Sequence, residues 1–210
     1  MKDLTQGDEL KTIIYFSLPI LMGNIFQQIY NISDAIIIGN FLGKESLAAV
    51  DSSYQINVLI IAISIGISLG TSIIVSQCFG AKNIEKLKNA VNTGFIFSLI
   101  LSFIITIFGF ILSNRILILI NVPENLLLNS NIYLKIIFIG VIPTFAYNSL
   151  TNILKGIGDS KTPTYILIVT VILNIILDIL FIAIMDYGIS GAAIATVISQ
   201  FISFILCFFM

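Results

Sequence analysis

Long apolar runs separated by short polar connections make up the whole chain. Six runs reach the roughly 20 residues that a helix needs to cross a membrane, and they predict spans at about 13–38, 54–79, 91–112, 132–154, 165–185 and 192–210. The connections hold turn and charged residues, as in GKES, GAKNIEKLKN and KGIGDSKTP. The sequence lacks the ten-residue segments of alternating polarity that mark a membrane β-barrel. The pattern therefore predicts an all-α integral membrane protein, built as a six-helix bundle.

Composition supports this class and removes several others. The 210 residues are 58% hydrophobic and 10% charged, whereas soluble domains carry about 25% charged residues. The net charge of −1 gives no electrostatic case for a nucleic-acid partner. There is no His, and both cysteines are isolated in apolar runs, which argues against a zinc enzyme, a His-based triad and a disulfide framework. We expect neither enzymatic activity nor a cofactor.

Basic residues are unevenly distributed over the connections, and this bias sets the orientation. One side of the membrane would hold seven of them: Lys2, Lys11, Lys82, Lys86, Lys88, Lys155 and Lys161. The other side would hold only Lys44, Arg115 and Lys135. We therefore expect a multi-pass protein of the plasma (inner) membrane with its N-terminus in the cytoplasm. The chain ends inside the sixth span, at FISFILCFFM, which suggests a truncated chain or half of something larger.

The first span carries a polar stripe. At 100° per residue, one arc of about 120° contains Asn24, Gln27, Gln28, Asn31 and Asp34. Amides often hydrogen-bond across membrane helices, so the four amides fit either helix packing or the lining of a polar pathway. A carboxylate inside the membrane costs roughly 2.5–3.5 kcal/mol on insertion scales. Asp34 therefore indicates a buried partner or a function.

A second acidic residue also lies well inside a span. Asp178 follows Asn174 by four residues, which places both on one face of span five. Antiparallel pairing of spans five and six around DYGISG puts Thr196 level with Asp178, and Asp34 falls at a similar depth near the outer end of span one. Two carboxylates, an amide and a hydroxyl form an oxygen-donor set that suits a proton or Na⁺. The alternative is two unrelated buried acids, each capped by local amides.

Two further features concern helix shape. Pro19 in YFSLPILMG removes a backbone hydrogen bond, which breaks or kinks span one at about 16–18. The resulting bend is either static or changes with the charge on Asp34. Gly66 and Gly70 form a GxxxG pair in span two, which predicts a close helix contact.

Five segments, taken in order, resemble the multidrug and toxic compound extrusion (MATE) family of secondary transporters. They are Pro19 in SLPIL, DAIIIGNFLGKESLAAV, GTSIIVSQCFGAKN, GDSKTP and GISGAAIATVIS. The resemblance covers all 210 residues but only the first half of the family's twelve-helix fold. It implies one six-helix lobe of an inverted V-shaped transporter, with the second lobe absent. Similarity to the DinF-like branch implies a cation site at Asp34, Asn174, Asp178 and Thr196, and bending of span one at Pro19.

Together, the residues and the resemblance predict a cation-coupled antiporter. Inward-moving H⁺ or Na⁺ would drive export of amphipathic, often cationic compounds, and this chain would be the cation-binding half. Its partners would be the small-molecule substrate, the lipid bilayer, and either a C-terminal lobe of the same protein or a second copy of the chain. Apart from Na⁺ at the cation site, we expect no metal.

Two alternatives remain open. One is a lipid-linked saccharide flippase of a related fold. Such proteins usually line a cavity with basic residues that hold a pyrophosphate, whereas these spans contain acids and, on this interpretation, no interior Lys or Arg. The other is a non-transporting membrane fragment that needs a partner lobe.

Overall fold

The computed structural model describes residues 8–210, and this part of the chain forms helices and no strands. In chain order the helices are α1 (Glu9–Phe41), α2 (Gly43–Gly80), α3 (Ile84–Leu119), α4 (Glu124–Ile139), α5 (Val141–Gly156), α6 (Lys161–Asp178), a π-helical segment (Ile179–Ile184) and α7 (Gly188–Phe208). Lys2, which contributed to the predicted orientation, lies outside the described residues.

The all-α membrane fold is confirmed. Five helices, counting α6 with its π-helical segment, are long and apolar enough to cross a membrane, and α4 with α5 makes a sixth span if the pair counts as one. The helices cover most of each predicted span but extend beyond it. Helix α2 begins at Gly43 rather than 54, and α3 begins at Ile84 rather than 91. The apolar pattern marks only the part of a helix that lies in hydrocarbon, whereas the helix itself continues into the polar interface.

Large apolar side chains cover the outside of the bundle. Ile14, Leu59 and Phe108 each leave more than half of their surface exposed, and many other Ile, Leu and Phe side chains do the same. In water, an apolar surface of this extent would drive association. In a bilayer it is the surface that contacts lipid, while the helices satisfy their own backbone hydrogen bonds.

The fourth predicted span is bent. Helices α4 and α5 meet at an angle of 47°, and α4 begins at Glu124 rather than at the predicted residue 132. Gly140 lies between the two helices, and a Cβ atom there would lie 2.7 Å from Cγ2 of Val197 on α7. The absence of a side chain at Gly140 therefore lets α7 approach the bend.

Helix α1 runs unbroken through Pro19, so of the two predicted effects of this residue the break is wrong, and the kink stays a prediction. The proline still removes one donor from the helical ladder. Its carbonyl oxygen accepts a hydrogen bond from Thr164 Oγ1 of α6 at 3.0 Å. Contact with α6 therefore supports α1 where its own ladder is weakest.

The predicted close contact at Gly66 and Gly70 is also wrong within the described residues. No atom of residues 8–210 outside the local helix lies within 4 Å of a Cβ built at either position. A close approach occurs instead at Gly109 of α3, where a Cβ would overlap the ring of Phe138 on α4. GxxxG spacing permits a close contact but does not create the partner.

The core lies where α2, α3, α4, α5 and α7 meet. It includes Leu117, Leu134, Phe138 and Phe145, each at most 2% exposed. Helix α1 packs on the side of this core against α2 and α6. One end of the bundle holds the α1–α2 turn at Leu42, together with the α3–α4 and α6–α7 connections. We call this the Leu42 end, and the candidate site lies in that half.

Candidate cation-binding site

Asp34 of α1 and Asp178 of α6 bring their carboxyl groups together inside the bundle. The two are close enough to share a hydrogen bond when one of them carries a proton. Asp178 is 0% exposed, and neither of its oxygens has a hydrogen-bond donor among the described residues. Asp34 is half-buried, and its Oδ1 lacks a donor in the same range. Two adjacent carboxylates with so few donors repel each other, so the pair fits a shared proton or a bound cation.

Asn174 lies one turn before Asp178 on α6 and is 1% exposed. Its amide nitrogen and amide oxygen are both buried without a hydrogen-bond partner in residues 8–210. Leaving a buried polar group unpaired costs about 1–3 kcal/mol. The unpaired oxygens of Asn174, Asp34 and Asp178 fit a small hard cation. Residues 8–210 contain no group of three or more His, Cys, Asp or Glu side chains able to hold a metal ion.

Thr196 of α7 joins the cluster through Tyr30 of α1. The Tyr30 hydroxyl and Thr196 Oγ1 are 3.1 Å apart, and either can be the donor. Tyr30 also lies within electrostatic range of Asp34 and Asp178. The sequence analysis missed Tyr30, although its position four residues before Asp34 places it on the same face of the helix. An aromatic residue in an apolar run resembles core, and that spacing is the signal that could have identified it.

Asp178 is the last α-helical residue before the π-helical segment Ile179–Ile184. Where this segment ends, the Met185 N–H donates to the Leu180 carbonyl at 2.9 Å. The ring of Phe181 within the segment stacks on that of Tyr187 beyond it, with the centroids 5.9 Å apart. Short π-helical segments occur frequently at functional sites because they interrupt the regular ladder. Nothing in the sequence pattern predicts the change of helix type at Asp178.

A cavity of about 200 Å³ opens beside Asp34. Its polar lining comes from three helices: Tyr30, Asn31 and Asp34 of α1, Asp51, Tyr54 and Asn57 of α2, and Tyr133 of α4. Helix α2 begins at Gly43, so Asp51 is part of this helix and lines the cavity from it. The predicted second span began three residues after Asp51. Asp51 therefore fell in a predicted connection and was not among the predicted site residues.

The remaining predicted residues lie elsewhere on α1. Asn31 lines the cavity, while Asn24, Gln27 and Gln28 do not. Asn24 and Gln28 are exposed, and Gln27 is half-buried. Pro19 lines a second pocket, of about 220 Å³, between α1 and α6. It is fifteen residues from Asp34, which is about 22 Å along a helix.

Basic residues are not confined to the connections between the spans. Lys135 lies inside α4, so the spans do contain an interior basic residue. The predicted fourth span already included this position, and the structure places its ammonium group 5.4 Å from the centre of the Phe110 ring. Lys135 does not line the cavity beside Asp34, whose charged lining is acidic.

The fold and the buried carboxyl pair define a multi-pass, all-α membrane protein with an ionisable cluster inside its bundle. The family model for MatE matches residues 19–180. The chain therefore belongs to the MatE family, as the resemblance of its motifs predicted.

Relatives and solved structures agree with this assignment. The chain is 36% identical over 203 residues to the probable multidrug resistance protein YpnP of Bacillus subtilis, with 97% of this chain and 46% of YpnP covered. Among solved structures, MATE in the bent conformation gives a TM-score of 0.91 and MATE in the straight conformation gives 0.90. Each of the two structures is 30% identical in sequence to this chain, and each match covers 97% of this chain and 45% of the solved chain. The chain thus spans about half the length of these relatives, and corresponds to their N-terminal half.

Proposed function

We propose that this chain is the cation-binding half of a cation-coupled antiporter that exports amphipathic, often cationic compounds across the plasma membrane. The observation that carries the proposal is the Asp34–Asp178 pair, in which Asp178 is fully buried and three of the four carboxylate oxygens are buried without a donor in the described part of the chain. Among the relatives, YpnP is named a probable multidrug resistance protein and MepA of Staphylococcus aureus a multidrug export protein. These names support export as the direction of transport.

In the proposed exchange, H⁺ or Na⁺ enters from outside and binds between Asp34 and Asp178. Asn174 supplies an amide oxygen, and Thr196 is positioned by Tyr30. A cation between the carboxylates removes their mutual repulsion, so the ion binds most tightly to the conformation that holds them together. Only such differential binding can shift the balance between outward-open and inward-open states. The N-terminus lies in the cytoplasm in this scheme, which places the Leu42 end outside.

Pro19 is proposed as the bend of α1. Its missing N–H removes one hydrogen bond from the ladder, and the Thr164 hydroxyl bonds both the Pro19 carbonyl, at 3.0 Å, and the Ser160 carbonyl, at 2.9 Å. In this scheme, a change in the charge of Asp34 alters the bend at Pro19 through the part of α1 that lies between the two residues. Exposed Asn24 and Gln28, with Gln27 and Asn31, would line the pathway on the same helix.

A complete pathway needs a second lobe in this scheme, because the chain spans about half the length of its relatives. Repeat-built transporters place the substrate site between two lobes. The second lobe would be the C-terminal half of the same protein or a second copy of this chain. A flippase for lipid-linked saccharides has less support, because carboxylates on the cavity wall would repel a pyrophosphate.

The test is export by Asp34→Asn and Asp178→Asn in membrane vesicles that contain the protein with its second lobe. Each variant should lose ion-driven transport of a fluorescent organic cation by at least about tenfold, because an amide cannot exchange a proton or supply a charge to Na⁺. Asp186→Asn is the matched control, since Asp186 is exposed in the connection before α7. Imposed pH and Na⁺ gradients, applied separately, identify the coupling ion. Wild-type transport by both carboxyl variants at normal abundance would refute the proposal.

A further inference from the structure

Asp51 is a third carboxylate on the cavity beside Asp34, and the exchange described above does not use it. It lies on α2 and lines the cavity together with Asp34 of α1. The ion pair found within residues 8–210 joins Lys11 and Asp8, so no cation of this part of the chain pairs with Asp51. A carboxylate in this position has no evident structural task.

The turn at Leu42 sets Asp51 at the same depth as Asp34. Asp34 precedes Leu42 by eight residues, and Asp51 follows it by nine. At 1.5 Å per residue, each lies about 12–14 Å from the turn along its own helix. The two carboxylates therefore face a common cavity from adjacent helices, and Asp178 lies beyond Asp34 on α6.

Exposure separates the roles of these residues. Asp51 is exposed, Asp34 is half-buried and Asp178 is fully buried. A carboxylate that faces hydrocarbon is strongly disfavoured, so the face of α2 that carries Asp51 is not expected to face lipid. The three carboxylates thus form a series from the exposed side of the cavity to the interior of the bundle.

The electrostatic character of the cavity is uniform. Its titratable lining residues are Tyr30 and Asp34 from α1, Asp51 and Tyr54 from α2, and Tyr133 from α4, with no Lys or Arg among the lining residues. Tyr133 lies within electrostatic range of Asp34, Asp51 and Asp178. A cleft lined by one sign of charge concentrates counter-ions and raises their association rate by roughly 10- to 1,000-fold.

We propose that Asp51 is the cation-capture residue of this transporter, which draws the monovalent coupling cation into the cavity and passes it to Asp34 and Asp178. This proposal rests on the proposed function, in which those two residues form the ion site. Asp51 acts on the rate and apparent affinity of loading, whereas Asp34 and Asp178 determine whether the ion binds at all.

Tyrosine fluorescence gives a direct readout of loading. The chain has no Trp and seven Tyr, and three of the Tyr side chains line the cavity. The protein with its second lobe, in which Phe replaces any Trp of that lobe, is placed in liposomes. It is mixed rapidly with NaCl at fixed pH, or taken through a pH jump in Na⁺-free choline buffer. The arm that produces the signal identifies the ion. Asp51→Asn should keep the full amplitude but lower the association rate and raise the half-saturating ion concentration, each by roughly tenfold.

Three control variants and one salt control make the result specific. Asp51→Glu keeps the charge and should restore the rate to within about twofold, and Asp51→Ser repeats the charge removal with a smaller side chain. Glu45→Gln removes an exposed charge from the first turn of the same helix, outside the cavity, and should behave as wild type. Added choline chloride should slow the wild type more than Asp51→Asn, because salt screens the attraction.

Each outcome separates the two proposals. If Asp34→Asn and Asp178→Asn keep the signal, the proposed function fails. If they lose the signal while Asp51→Asn and Asp51→Ser match Glu45→Gln, only the capture role is overturned. Loss of amplitude in Asp51→Asn also overturns the capture role, because Asp51 would then be a ligand of the bound ion.

Discussion

The hydrogen bond between Tyr30 and Thr196 is the direct contact between α1 and α7 at the candidate site, and its strength can be measured. Tyr30→Phe removes the hydroxyl and keeps the ring, while Thr196→Val removes the other hydroxyl and keeps the shape. Each single variant breaks the same 3.1 Å contact. The double variant therefore loses no further interaction between the two residues, and the non-additivity measures the bond.

The magnitude follows from the membrane setting of this bond. Hydrogen bonds between side chains of membrane helices contribute about 0.6 kcal/mol on average, with a maximum near 1.7. Tyr30 and Thr196 are both half-buried, so water can partly replace the lost partner, and we expect a coupling free energy of about 0.6 kcal/mol. If the bond also holds Thr196 in place for the ion, Tyr30→Phe should weaken ion binding by about threefold, which is the same free energy expressed as an equilibrium constant. Thr196→Val should weaken it by more, because this variant also removes an oxygen donor of the proposed site.

The assay is a double-mutant cycle on reversible unfolding in mixed micelles, repeated on the half-saturating ion concentration. Tyr54→Phe is the matched control, because Tyr54 also lines the cavity but is exposed and forms no part of this bond. Removal of the Tyr54 hydroxyl should change neither the free energy of unfolding nor the half-saturating ion concentration by more than the measurement error. Additive effects of Tyr30→Phe and Thr196→Val, in both measurements, would contradict our interpretation of the contact.

Two further predictions concern the helices that carry the site. Pro19→Ala restores a hydrogen-bond donor to the α1 ladder and should raise the free energy of unfolding by up to about 3 kcal/mol. Export should nevertheless slow several-fold, while the ion affinity stays within twofold of wild type. Unchanged export in vesicles would exclude a bend at Pro19 that transport requires. Gly109→Ala places a Cβ on the ring of Phe138, which is 2% exposed, and should lower the free energy of unfolding by about 1–3 kcal/mol. Gly66→Ala has no neighbour within 4 Å in the described structure and should leave the stability unchanged or raise it. Thermal unfolding of the two variants compares them directly, and equal melting temperatures would contradict this prediction.

Two parts of the site follow from periodicity and simple chain geometry. The helical repeat groups the polar residues of α1 into one stripe that ends at Asp34, because 100° per residue is a property of every α-helix. Counting outward from the α6–α7 connection sets Thr196 level with Asp178, because both helices rise by the same distance per residue. Neither step depends on how the side chains pack, which is why the sequence alone sufficed for them.

The features that the sequence did not reveal depend on packing. The 47° bend between α4 and α5 and the π-helical segment after Asp178 change the path of helices whose apolar pattern stays regular. The contact of Tyr30 with Thr196 needs the relative position of α1 and α7, which no single-helix pattern contains. The GxxxG spacing failed for the same reason, since it describes one surface and not what faces it.

Asp51 was missed because it lies near the polar start of α2. Hydropathy assigns to a span only residues in a sufficiently apolar window. Because the start of α2 is polar, the predicted second span began only after Asp51. Yet Asp51 on α2 and Asn24 and Gln28 on α1 are all exposed, and lipid would penalise each of them. Their shared exposure on two adjacent helices indicates one polar surface along α1 and α2 that does not face lipid. A carboxylate there is tolerated at little cost, so insertion energetics single out Asp34 and Asp178, while the geometry of the cavity is needed to single out Asp51.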